Sequence, residues 1–73
     1  MALVTGFSKV QKERQSLQRP AKCEYSVFKH DGSTYLQLDI HGSAGETAQS
    51  LQLDRAAARA LRQLMEEIGI SEW

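Results

Sequence analysis

The residues with chemistry to offer gather in one stretch, CEYSVFKHDGSTYLQLDIHG, residues 23 to 42. It carries Glu24 and Asp39, which could share a proton, and the imidazoles of His30 and His41. It also carries the thiol of Cys23 and the rings of Phe28 and Tyr35. Which of these meet depends on the local fold. Two alternating runs flank Asp31-Gly32, and such a dipeptide suits a type I′ hairpin turn, where both central residues need positive φ. A two-residue loop sets His30 opposite Ser33, Lys29 opposite Thr34, Phe28 opposite Tyr35 and Glu24 opposite Asp39. One face then reads Cys23, Tyr25, Val27, Leu36, Leu38 and Ile40. The other reads Glu24, Ser26, Phe28, His30, Tyr35, Gln37, Asp39 and His41. A slip of one residue would scramble both faces, so the clean separation supports this register.

Facing carboxylates can drive one pKa upward and work as an acid-base pair. His41, opposite Lys22, stands near them. A flat sheet, however, lacks the concave site in which such chemistry is done. Two solvated acids, balanced by Lys22 or an N-terminal arginine, are the simpler expectation. His30 and His41 lie about 20 Å or more apart along the hairpin, at roughly 3.3 Å per residue, so they cannot share one ion. Glu24, Asp39 and His41 make only a weak cation set. There is no CxxC and no His-Cys cluster for zinc. Cys23 falls on the predicted core face, where a cysteine acts as a small hydrophobe. No serine sits in a nucleophile elbow. GSAG at 42 to 45 lacks the lysine and helix of a phosphate loop. These readings point away from an enzyme, and they call for no cofactor or metal.

Phe28 and Tyr35 offer a different use. A cross-strand aromatic pair on an open sheet can stack unpaired bases. Gln37, Ser50 and Gln52 could bond to base edges, and Lys9, Lys12, Arg14, Arg19, Lys22 and Lys29 could meet phosphates. Against this, Glu24 and Asp39 on the same face repel a phosphate backbone. An ordinary stabilising aromatic pair is the competing reading. Arg55, Arg59 and Arg62 recur at helical spacing. They read as a solvated helix face, with Arg62 placed to pair with Glu66.

The remaining elements frame the hairpin. Leu3, Phe7, Val10 and Leu17 recur at roughly helical spacing, Ser8 and Gln11 fit a capping box, and Pro20 closes the element. A short helix over residues 8 to 18 is expected. After the Gly- and Ser-rich HGSAGET, SLQLD reads as a third strand. Asp54 is placed as an N-cap to RAAARALRQLMEEIG. Ala57, Leu61, Leu64, Met65 and Ile68 form its apolar stripe, and Gly69 is placed to end it. The expected architecture is α+β: a short N-terminal helix, a three-stranded antiparallel β-meander, and a C-terminal amphipathic helix packed on one sheet face. Residues 1 to 20 would form an N-terminal arm or helix, and 21 to 73 a β-β-β-α core of one domain.

At 73 residues the chain buries little surface and is marginal alone. With one cysteine it has no internal disulfide. That leaves oligomerisation, or a very efficient core, as the reinforcement. Ile68, Ile70 and Trp73 are apolar for a free tail and are read as a homodimer interface. The net charge is zero but divided. Six cations against two acids fill residues 1 to 29, and three cations against seven acids fill residues 30 to 73. This fits an anion at one end, or head-to-tail association. The start lacks a secretory pattern, no run is long enough to span a membrane, and a lone cysteine suits a reducing compartment. A cytoplasmic protein is expected.

YLQLDIHG to LRQLMEE, residues 35 to 67, resembles the single-stranded-nucleic-acid-binding domain of positive cofactor four and its short bacterial relatives. The likeness lies in a strand reading SLQLD that runs through an Asp junction into an amphipathic helix. The resemblance implies a dimer through the helix and unpaired strands bound on the sheets. The family usually has four strands and lysine-rich binding strands. Here three strands are legible, and only Lys22 and Lys29 fall in strands. The leading expectation is a small non-enzymatic binding or regulatory protein with single-stranded DNA or RNA on its open sheet face. The alternative is a protein-interaction module, an adaptor or inhibitor, using that face or an edge strand.

Overall fold

The computed structural model describes residues 1–42 and 47–71, except for the side chains of 47, 48 and 71. Four strands and one helix follow in the order β1 (Ala2–Val4), β2 (Cys23–His30), β3 (Ser33–His41), β4 (Thr47–Leu53) and α1 (Arg55–Ser71). The sheet order is β1-β4-β3-β2, with β2, β3 and β4 antiparallel and β1 parallel to β4.

The hairpin takes the register expected from its pattern, from His30 opposite Ser33 to Cys23 opposite Ile40. Asp31 at φ 50° and Gly32 at φ 79° supply the two left-handed residues of the turn. β4 extends the meander, setting Leu36 against Leu53, Gln37 against Gln52 and Asp39 against Ser50. The ladder shifts between Ile40 and His41.

Two corrections concern the N-terminus. Residues 2 to 4 form a fourth strand, so the sheet is mixed and not a three-stranded meander. A run of four apolar residues fits strand and helix alike, and here sheet pairing decides. Ala2 and Val4 join Leu51 and Leu53, Leu3 turns to the opposite face beside Gln52, and the Asp54 N–H donates to the Val4 carbonyl at 3.3 Å. The helix expected over residues 8 to 18 is absent, and the chain there is irregular and exposed. With Leu3 drawn into β1, Phe7, Val10 and Leu17 are too few to bury a helix face. An isolated helix of about 11 residues does not hold in water. Leu17 is fully exposed and Val10 is 68% exposed.

α1 begins as its sequence dictates. The Asp54 carboxylate accepts from the Ala57 N–H at 2.8 Å, and its carbonyl accepts from the Ala58 N–H at 2.9 Å. This satisfies one of the orphan donors of the first turn. Asp54→Ala is expected to destabilise the chain by about 1 kcal/mol, read from a urea unfolding curve. The helix runs two residues beyond Gly69, to Ser71. Gly69 is not in a left-handed conformation, so it does not act as the expected terminator.

The helix lies against β3 and β4. Leu53 and Ala57 are the fully buried apolar residues there, while Leu36, Leu38, Ile40, Leu51, Leu61 and Leu64 are half-buried. A helix is about 10 Å wide and strands lie about 4.8 Å apart, so one helix roofs about two strands. β2 is left uncovered. Its expected core face, Cys23, Tyr25 and Val27, is therefore exposed, with Tyr25 at 75% and Val27 at 64%. No helix among the described residues is long and apolar enough to cross a membrane.

Candidate nucleic-acid interface

The sheet face opposite α1 carries the even-numbered residues of β2 and the odd-numbered residues of β3. Near the hairpin turn, Phe28 and Tyr35 stack with centroids 5.5 Å apart and ring planes 22° from parallel. Both are half-buried, each shielded by the other along one side. Offset stacking of this kind stabilises a strand pair by about 0.5–1.5 kcal/mol beyond burial alone. The pair stands on the sheet face that α1 leaves uncovered.

The middle of the face is a chain of hydrogen bonds across β3 and β4. The Gln52 amide donates to Gln37 Oε1 at 3.0 Å. The Gln37 amide donates to both Asp39 oxygens, at 3.1 and 3.3 Å. The Ser50 hydroxyl donates to Asp39 Oδ1 at 2.5 Å. Register makes this possible, because Gln37 faces Gln52 and Asp39 faces Ser50. The donors hold the Asp39 carboxyl below the usual carboxylate range, Ser50 most and Gln37 next; burial opposes them and His41 adds a smaller lowering. A depressed folded pKa means that Asp39 adds stability above its unfolded pKa. That contribution fades as pH falls below about 3.9 and through the lower folded value. Asp39→Asn is expected to flatten this acid limb when unfolding midpoints are followed from pH 6 to pH 2.

At the far end Glu24 faces Asp39 in register. Its Oε1 lies 3.3 Å from His41 Nε2. The approach is not aligned as a hydrogen bond, and both His41 ring nitrogens are buried without one. His30 stands at the other end, beside Asp31 at 3.4 Å. Asp39 is thus occupied by neutral donors. Among the described residues, no group of three or more His, Cys, Asp or Glu is gathered as a metal site.

The cations do not converge as one patch. Lys9, Lys12, Arg14 and Arg19 lie along the exposed segment between β1 and β2, and Lys22 follows them at the start of the hairpin. Lys29 faces Thr34 and so lies on the face of Tyr25 and Val27, opposite the aromatic pair. On α1, Arg62 Nε approaches Glu66 Oε1 at 3.3 Å. Ile68 is half-buried and Ile70 is 88% exposed. Trp73 lies outside the described residues.

A concavity of about 680 Å³ lies on the helix side, between the turn and the start of α1. Val27, Leu36, Leu53, Asp54 and Arg55 are among its walls. Its acid is the helix cap, already engaged by Ala57. The Gln37–Asp39–Ser50–Gln52 chain was not evident from residue types alone. The signal for it is polar side chains at alternate positions of neighbouring strands, once their register is known. No family model, curated protein or solved structure matches the chain.

Proposed function

We propose that the chain is a non-enzymatic binding protein that takes single-stranded nucleic acid on its uncovered sheet face. The observation that carries this is the Phe28–Tyr35 stack on a face that α1 leaves open. Unpaired bases present π faces, and a ring pair of this kind can extend their stacking. The cations of the segment before β2 are exposed and can reach phosphates without distorting the sheet. Tyr35 and Asp39 are four residues apart, about 13 Å along the strand, so the fixed negative charge stands away from the stacking site. Gln37, Ser50 and Gln52 already bond within the face, which favours stacking without base-edge reading. This is the mode implied by the resemblance to the positive cofactor four domain.

The test is fluorescence anisotropy of a labelled single-stranded oligonucleotide at several salt concentrations. Affinity should fall with salt, with a log–log slope of roughly −3.5 if the five cations before β2 meet phosphates. Binding that ignores salt, or no binding at low salt, would refute this reading. A second reading, a protein-interaction module, is favoured by the exposed Tyr25 and Val27 on β2. It expects a partner held with little salt dependence and lost when the edge strand is disrupted.

A further inference from the structure

We infer that β2 pairs with β2 of a second copy, antiparallel, joining two four-stranded sheets into one of eight. This stands whether or not the open face binds nucleic acid. β2 is a sheet edge of eight residues. It carries no proline, and its ladder with β3 runs unbroken from Cys23 to His30. Natural edges are usually short, bulged or covered. The opposite edge, β1, is short at three residues.

The edge has a defined set of free groups. The His41 N–H donates to the Lys22 carbonyl at 3.1 Å. By strand alternation Glu24, Ser26, Phe28 and His30 also turn their main-chain groups toward β3. Cys23, Tyr25, Val27 and Lys29 turn theirs outward. A two-fold axis through Val27 puts Val27 opposite the second copy's Val27 and Tyr25 opposite the second copy's Lys29. Glu24 then meets the second copy's His30, and about six main-chain hydrogen bonds close the seam. Glu24 and His30 are 76% and 73% exposed and can meet there. Shifting the axis to Ser26 sets Lys22 against His30 and Glu24 against Phe28, which offers no complementary charge. The exposed area also calls for a partner. The chain presents 6810 Å², where a compact 8.2 kDa protein presents about 4500 Å². Part of this surplus belongs to the irregular segment. The rest includes Tyr25 and Val27.

The pairing has a consequence for the open face. Phe28 would stand diagonal to the second copy's Phe28, within reach of an aromatic side chain. The two stacked pairs would then form one row across the seam.

Three variants and the wild type test this without any ligand. Sedimentation of the wild type at tens of micromolar is expected to give twice the 8.2 kDa of one chain. Val27→Pro removes an outward N–H only, so it should keep the circular dichroism of the fold and sediment as a monomer. In a Cys23→Ser background, Val27→Cys should oxidise to a covalent dimer, because facing Cα atoms lie about 5.5 Å apart. Ser26→Cys in that background should not, at about 8 Å. A monomeric wild type, a Val27→Pro dimer, or crosslinking through residue 26 instead of 27 would overturn the inference. Should Val27→Pro fail to fold, the crosslinking pair decides alone.

Discussion

Leu53→Ala is expected to remove about 2–5 kcal/mol of stability, the usual cost of truncating a buried leucine. Leu53 is 1% exposed and shares full burial with Ala57 alone among the described apolar residues. It faces Leu36 on β3 and Val4 on β1, so one side chain joins three strands beneath the helix. A chain of 73 residues has roughly 4–11 kcal/mol to lose. The thermal midpoint should therefore fall by about 10–30 °C, or the cooperative transition should vanish altogether. Leu17→Ala is the contrasting case. That side chain is fully exposed, so its loss should shift the midpoint by no more than about 4 °C. Circular dichroism at one fixed protein concentration reads both, and equal effects would contradict this placement of the core.

The second large effect concerns the aromatic pair. Phe28→Ala and Tyr35→Ala should each weaken single-stranded oligonucleotide binding by about 5- to 150-fold, the cost of roughly 1–3 kcal/mol for a lost stacking partner. The two rings touch, so their effects should not add. Tyr25→Ala, on the opposite face, should leave affinity unchanged. A titration by anisotropy checks all of these, with circular dichroism confirming that each variant keeps the fold. Equal losses from Tyr25→Ala and Phe28→Ala would remove the stack as the binding surface.

The parts of this fold that were legible are those with local causes. Asp31-Gly32 needs positive φ twice, and that need set the whole register of β2 and β3. Asp54 ahead of an alanine-rich stripe reads as a cap, and it is one. What stayed hidden depends on distant partners. Residues 2 to 4 become a strand only because β4 offers an edge, and that choice removes the first apolar position from the expected helix. Tyr25 and Val27 carry a core pattern, yet their burial depends on how many strands one helix can roof. The positions of Gln37, Asp39, Ser50 and Gln52 on one face could be read, but their bonding depends on register across β3 and β4. The split charge fitted an anion at one end or head-to-tail association, and it did not show that Lys29 lies on the opposite face from the stack.

The most direct measurement is amide chemical-shift mapping of labelled protein as a short single-stranded oligonucleotide is added. Shifts should concentrate on Ser26, Phe28, Ser33, Tyr35 and Gln37, together with the basic segment before β2. Shifts confined to α1, Tyr25 and Val27, or none at equimolar oligonucleotide, would contradict binding on the open face.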